Sequence, residues 1–428
     1  MKLAILLSHP IQYFSPLFRC VSREEGLDLT VYYGTDEGVE GHSYDEQFGV
    51  AVRWDVPLLE GYESVFLKNH APRQRLGTHF WGVLNAGLPG RLRRDRPDAL
   101  LVHGWAYATY VLGIVAAKAL GIDLWLRMES PLSQEQRKDG RLRSAKHLLL
   151  RRALLPLVDR CLYIGRQNRR FYEHFGVPER KLFPAPYCVD NRRWRRTWRE
   201  LNPARDEIRR EMGLDPEETV FLFVGKLMPK KRPGDVLRAL KSVESNESME
   251  STESVRSTPS IRSTYSNPDA ERSTPHIPPS TSVRLLVVGD GELRGECESY
   301  AREHDLPVSF VGFKNQSELG RYYTAADVFV LPSGIGETWG LVVNEAMNFD
   351  LPVIVSDLVG CSDDLVEEGR NGFTYPVGDV EALADRMRFF LQPADRMEEM
   401  GQRSGEIIQN YCYDRVVEGI LAAAGLTG

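Results

Sequence analysis

The stretch Val328-Phe329-Val330-Leu331-Pro332-Ser333-Gly334-Ile335-Gly336-Glu337-Thr338-Trp339-Gly340-Leu341-Val342-Val343-Asn344-Glu345 decides the fold. Its four leading apolar residues read as a buried strand that Pro332-Ser333-Gly334 ends. A glycine-rich turn follows, and a helix is expected from about Gly340 through Ala346-Met347. Strand, turn and helix in this order form one unit of a parallel sheet covered by helices. Such sheets bind ligands beyond the carboxyl ends of their strands. The first helical turn leaves the N–H groups of Trp339 to Val342 without internal partners, and the helix dipole adds about half a positive charge there. Together they make an anion site. Glu337, in the loop, and Glu345, in the second helical turn, flank it. Carboxylates repel phosphate but accept hydrogen bonds from hydroxyls, such as those of a sugar ring and a ribose. A capped helix with two surface glutamates is the plainer alternative, against which the glycine turn and Trp339 weigh.

Working outward, the second half of the chain repeats this unit. Strands are expected at 219–224, 284–288, 308–311, 328–331 and 352–355, most of them followed by a helical pattern. The first half alternates in the same way, with strands at 2–7, 27–33, 99–102, 123–127 and 160–164 and helices at 107–120 and 145–155. At 428 residues the chain exceeds one ordinary core. The expected architecture is therefore α/β: two Rossmann-like domains facing across a cleft. Residues 1–190 form the first domain, 191–218 a linker crowded with Arg and Trp, and 219–394 the second domain. Residues 395–428 form a helical tail able to cross back to the first domain. Residues 242–282 are about half Ser, Thr and Pro. They bury little apolar surface and read as a disordered surface insert, a loop that chain entropy tolerates cheaply. A partner-binding or phosphorylated loop is the other reading.

The net charge of −6 hides an asymmetry. Residues 1–200 carry 31 Lys+Arg against 22 Asp+Glu, and the remainder is acidic. Two domains facing different partners, or plain drift of surface charge, account for it equally. Neither calls for a nucleic-acid partner. The six cysteines are scattered, with no Cys-x-x-Cys pair, as expected of free thiols in a reducing cytosol rather than of disulfides or a zinc site. Leu3-Ala4-Ile5-Leu6-Leu7 is too short for a signal segment or a membrane span and reads as a first strand.

Two further strand ends carry chemistry. Gly225-Lys226-Leu227-Met228-Pro229-Lys230-Lys231-Arg232 places four cations in one loop. Aimed into the cleft, they would neutralise a diphosphate leaving group, a task often given to a divalent metal. The chain has no Asp-x-Asp and no clustered His/Asp ligands, so neither metal nor bound cofactor is expected. A solvated basic turn is the alternative. Gly289-Asp290-Gly291 ends the next strand and permits close backbone approach to a ligand, although the dinucleotide fingerprint is incomplete because the third glycine is Gly295.

Three runs together resemble the second domain of glycosyltransferase family 4, which has the GT-B fold: the strand Val308–Gly312, the run from Tyr322 to Ser333, and Glu337-x7-Glu345. The resemblance covers most of 219–392. It implies a retaining, metal-independent transferase, hexosyltransferase-like, that moves a sugar from a nucleoside diphosphate sugar to a sugar, glycan or lipid-linked acceptor hydroxyl. Glu337 then lies near the transferred sugar, and Glu345 on the ribose. Lys226, where the family usually has Arg, and Lys231 hold the diphosphate. Thr338, Trp339, Gly340, Leu341 and Val342 offer backbone N–H groups, with Gly225, Gly289, Gly291 and Ser333 beside the donor.

In the first half the match is looser. His103, at the end of its strand, resembles the family's cleft histidine; a core or capping histidine is the alternative. Glu129, in Arg127-Met128-Glu129-Ser130, stands where relatives often carry His. In Ser8-His9-Pro10, His9 is able to face the cleft and Pro10 suits the first helical position. His9, Arg127 and Glu129 are the acceptor-side candidates. Residues 186–190 resemble the interdomain hinge. The basic run from Arg137 through Arg152 suggests a protein that is cytoplasmic and peripheral on an anionic inner membrane face; an ordinary surface helix accounts for it as well. An epimerase or phosphorylase on the same fold, or a nucleotide-sugar-binding protein without turnover, also fits these residues.

Overall fold

The computed structural model describes residues 1–39, 43–45, 50–52, 56–77, 79–137, 141–253, 282–391 and 395–426. In the first half β1 (Lys2–Leu7), β2 (Asp28–Tyr33), β3 (Ser43–Asp45), β4 (Val50–Val52), β5 (Glu63–Phe66), β6 (Ala99–Val102), β7 (Asp123–Leu126), β8 (Arg160–Tyr163) and β9 (Leu182–Pro184) alternate with helices. The helices are α1 (Ser15–Val21), α2 (Leu88–Asp95), α3 (Ala108–Leu120), α4 (Leu132–Gln136), α5 (Arg141–Leu149) and α6 (Arg166–His174). Seven of these strands form one parallel sheet in the order β5-β2-β1-β6-β7-β8-β9, and β3 pairs with β4 as a separate antiparallel hairpin.

The second half contains β10 (Thr219–Val224), β11 (Val283–Val288), β12 (Val308–Gly312), β13 (Val328–Leu331), β14 (Val353–Ser356) and β15 (Gly372–Tyr375). Its helices are α7 (Asn191–Leu201), α8 (Arg205–Glu211), α9 (Pro233–Glu253), α10 (Arg294–Glu303), α11 (Gln316–Ala325), α12 (Leu341–Met347), α13 (Ser362–Leu365), α14 (Val380–Phe389), α15 (Asp395–Ile408) and α16 (Tyr413–Ala424). The sheet is parallel, ordered β12-β11-β10-β13-β14-β15. The inner strands are apolar throughout because helices cover both faces; β10, for instance, is buried at all six positions. The architecture is thus α/β, with two Rossmann-like domains.

Strand order reverses between β1 and β6 in one sheet and between β10 and β13 in the other. At such a switch the connections leave in opposite directions and open a crevice at the strand ends. The loops after β1 and β6 carry His9 and His103. Those after β10 and β13 carry Lys226–Lys231 and Ser333–Gly340.

Several expectations need correction. Residues 242–253 do not belong to a disordered insert: they continue α9 to Glu253, anchored by Val243, which is buried with Leu240 against the sheet. Residues 254–281 lie outside the described ones. The segment 191–218 is not a bare linker, since α7 and α8 pack on α11 and contribute Trp194 and Ile208 to the core of the second domain. Pro10 does not open a helix; α1 begins at Ser15, with Pro16 in its first turn. In the tail, α16 packs on β8, β9 and α1, so the chain returns to the first sheet. Strands β5, β9 and β15 were not anticipated. All three are sheet edges, short and interrupted by polar residues, Pro or Gly, as edges tend to be.

Candidate active site

Because β10 and β13 are neighbours, with Phe221 opposite Val328 and Leu222 opposite Phe329, their exit loops run side by side. The β10 loop tightens into a single turn at Pro229–Lys231, and the backbone N–H of Gly334 donates to the Lys230 carbonyl at 2.8 Å. This zipper brings Lys231 onto Glu337, where ammonium and carboxylate form a hydrogen-bonded ion pair. Glu337 is only 8% exposed. Burial alone would raise its carboxyl pKa; the charges of Lys231 and Lys230, with the hydrogen bond from Lys231, outweigh that and hold it below the usual carboxylate range. Glu337 is therefore an anion at neutral pH, fixed by a cation. The Lys230 ammonium lies 3.3 Å from the Gly336 carbonyl. Burial and the neighbouring Lys231 and Lys226 lower its pKa, against the pull of Glu337. Two lysines, Lys231 and Lys230, act on this one carboxylate, a cluster of the kind that stabilises a diphosphate.

A cavity of about 380 Å³ opens on this cluster. Gly225, Lys226, Lys231, Gly289, Val342 and Glu345, all expected at a donor site, line it. Lys230, from the four-cation loop, lines it as well, and so do Tyr13 and the run Phe313–Gln316, which were not anticipated; the position of Tyr13 in the loop after β1, at a switch point, is the signal that would have found it. Glu345 is fully buried. Tyr323 donates to one of its oxygens at 2.8 Å and Tyr13, from the first domain, to the other at 3.1 Å. Burial raises its pKa to about 7, against these hydrogen bonds and Arg193.

Three of the expected donor-side residues also have a structural job. The Trp339 side chain is buried, donates to Asn344 at 2.8 Å and packs between Tyr187 and Tyr411; it belongs to the interdomain core. Gly291 does not line the cavity: a Cβ there would stand 2.6 Å from the Leu227 carbonyl. Gly289 lines the cavity, yet the close approach that requires glycine is to the Gly225 carbonyl, 1.9 Å from a Cβ built there. The close approaches of both glycines are to the backbone of the β10 loop. Gly340 caps α12 at a φ of 98°, a left-handed conformation. Leu341 packs on the core, Thr338 is half-buried between Glu337 and Trp339, and Ser333 is fully buried.

On the facing side, Phe14 and Tyr187 lie against His103 and Arg127. His103 meets Phe14 edge-on at 5.1 Å, and the Arg127 guanidinium lies 5.2 Å from the Phe14 ring and 4.8 Å from Tyr187. Burial and then Arg127 keep the His103 pKa well below its ordinary value, so the ring is neutral. Burial raises Glu129, opposed by Arg127 and a hydrogen bond from Tyr187. His9 pairs through Nδ1 with the Ser8 hydroxyl at 2.9 Å, and burial lowers its pKa to about 4. Gln134 was missed altogether, because nothing in Pro131-Leu132-Ser133-Gln134 marks it. It is buried, and its side chain reaches across the cleft to the backbone around Glu337.

The fold defines a two-domain protein of GT-B architecture, with a cavity lined by Lys226, Lys230 and Lys231 at the strand ends. Residues 273–406 match the sequence model of the family described as glycosyl transferases group 1. Over 131 residues the chain is 35% identical to a sulfoquinovosyl transferase of Arabidopsis thaliana, covering 30% of this chain and 25% of that one. Over 353 residues it is 25% identical to a D-inositol 3-phosphate glycosyltransferase of Nocardia farcinica, covering 80% and 64%. The chain thus spans less than two thirds of these relatives. Among solved structures, HepE from Anabaena in complex with UDP and glucose superimposes with a TM-score of 0.65 at 16% identity, covering all of both chains. That likeness concerns the fold. No helix among the described residues is long and apolar enough to cross a membrane.

Proposed function

We propose that the protein is a retaining glycosyltransferase. It moves a sugar from a nucleoside diphosphate sugar to an acceptor hydroxyl, in glycan, polysaccharide or glycolipid synthesis. The observation that carries this reading is the Lys231–Glu337 ion pair, whose lysine lines a cavity together with Lys226, Lys230 and Glu345. The lysines stabilise the departing diphosphate electrostatically, the part a divalent metal plays elsewhere, so no metal is required. Glu337, kept ionised, orients the sugar. Glu345 offers a carboxylate to the ribose once Tyr13 yields its oxygen. A front-face reaction, in which the departing phosphate takes the acceptor proton, needs no covalent nucleophile. The acceptor hydroxyl then approaches past neutral His103 with Arg127 and Glu129, while His9 stands at the end of β1.

A sugar, glycan or lipid-linked acceptor fits a cleft that α5 adjoins. Leu148 and Leu149 are 57% and 48% exposed, beside exposed Arg151 and Arg152, as shallow docking on an anionic inner membrane face needs. Lys146 is instead paired with Glu135 at 2.7 Å and Arg137 with Asp357 at 2.7 Å. Residues 138–140 and the side chains of 141–143 lie outside the described residues.

A thermal-shift screen against UDP-, GDP- and ADP-sugars, followed by product mass with the stabilising donor, tests the function. Stabilisation by one class and a product heavier than the acceptor by one sugar are expected. Change of the donor without an acceptor, or phosphate-dependent cleavage, would replace the reading with an epimerase or phosphorylase; binding without turnover would replace it with a binding protein.

A further inference from the structure

Gln134 sits on α4 in the first domain, yet every polar atom of its side chain is engaged with the second. Its amide nitrogen donates to the Glu337 carbonyl and to the Leu358 carbonyl, each at 2.8 Å. Its amide oxygen accepts the Gly336 N–H at 2.9 Å. The residue is 4% exposed and its bonds to the two carbonyls are buried, so water is no ready substitute there and losing them removes partners of buried carbonyls. Gly336 and Glu337 are the two residues of the catalytic loop whose backbone sets the direction of the Glu337 carboxylate. Gly336, at a φ of 99°, lacks the side-chain restraint that would hold this turn by itself.

The other end of the lever is held as well. The Ser133 N–H donates to the Gln167 side chain at 3.2 Å, and Asn168 donates to the Ser130 carbonyl at 3.2 Å, fastening α4 to α6. Lys146 of α5 holds Glu135 of α4. A side chain rooted in one domain thus grips the loop that carries the key carboxylate of the other.

We propose that Gln134 is a positioning residue: it aligns Glu337 across the cleft, so that the carboxylate takes its working direction only when the two domains are together. Lys231 supplies the charge that keeps Glu337 ionised, and Gln134 supplies the geometry. A misplacement of the order of an ångström at a reacting centre costs about a hundredfold in rate. The catalytic half of this inference rests on the transferase reading; the positioning half does not.

The test uses the full chain with Gln134→Glu, which keeps the shape but turns two donors into acceptors, and Gln134→Leu, which keeps the bulk and removes all three bonds. Hydrogen exchange over residues 334–345 reads the loop directly. In both variants this segment is expected to exchange about tenfold faster or more, with β10 and β13 unchanged. In the transfer assay kcat falls about thirty- to a hundredfold, with donor KM within about threefold. A residue that merely supported the fold would instead lower the melting temperature and speed exchange throughout the domain. Unchanged exchange in both variants overturns the inference, and so does faster exchange with unchanged kcat. If the wild-type chain turns over no nucleotide sugar, the transferase reading falls, while the exchange measurement still decides whether Gln134 positions the loop.

Discussion

Tyr13 and Glu345 lie 332 residues apart in the chain and are joined by one hydrogen bond of 3.1 Å, the hydroxyl of the first domain donating to the carboxylate of the second. With Tyr323 on the other oxygen, both acceptors of a fully buried carboxylate are engaged from within the protein. Tyr13→Phe is expected to cost about 1–3 kcal/mol at pH 8, where the carboxylate is ionised, and less at pH 5. Urea denaturation at the two pH values measures this. An equal loss at both would mean that the bond does not depend on the charge of Glu345.

Glu345 also gives the stability a pH dependence. Its pKa is about 7 in the fold against 4.5 for an ordinary glutamate, so the folded chain holds the proton more tightly than the unfolded one. The stabilising contribution is whole below pH 4.5 and is lost as pH rises through 7. Relative to Glu345→Gln, the wild-type protein should lose on the order of 3 kcal/mol between these limits. Denaturation curves of the pair across pH 4.5–8 isolate this group, because Asp364 and His9 titrate in both proteins. A constant difference would refute it.

Glu337→Gln keeps the size of the side chain and removes its charge. Transfer should fall on the order of a hundred- to a thousandfold, with affinity for the nucleoside diphosphate nearly kept. Glu337→Ala is the less clean variant, since Lys231 would be left buried beside a void. Single-turnover kinetics with saturating donor decide the matter, and full activity in the Gln variant would remove Glu337 from the site.

Lys231→Met tests the other half of the ion pair. A charge-assisted contact to diphosphate is worth about ten- to a hundredfold in affinity, which titration calorimetry with the nucleoside diphosphate would show. Unaltered affinity would leave Lys231 as a partner of Glu337 alone.

Replacing residues 246–281 by a short Gly/Ser loop keeps the buried face of α9 through Val243. The melting temperature should move by no more than about 4 °C, and nucleotide binding should stay as it was. Loss of a cooperative melt would show that the segment is part of the fold.

The sequence displays the second domain better than the first, and the reason is physical. The run from Val328 to Glu345 writes strand, turn, dipole and carboxylates in one continuous piece, so local chemistry reveals it. The Lys231–Glu337 pair brings together two such local signals, and the neighbouring pairing of β10 and β13 joins them. Gln134 and Phe14 leave no local trace, because each acquires its meaning from a segment far away in the chain; Tyr13 and Arg127 have only their places after strands to mark them. Trp339 has a second role that its place in the loop does not announce: its side chain fills the seam between the domains. Residues 242–253 misled through composition, since a Ser-rich stretch still extends a helix that Val243 has anchored.

The return of α16 to the first sheet bears on how the polypeptide comes to be made. Tyr413, Val416, Val417 and Ile420 share one apolar cluster with Leu3, Ile5, Phe18 and Leu29. A nascent chain carries this cluster incomplete until α16 has been made, exposed to the aggregation that threatens incomplete domains. Residues 1–190 alone do not complete the first domain, and its maturation waits on α16.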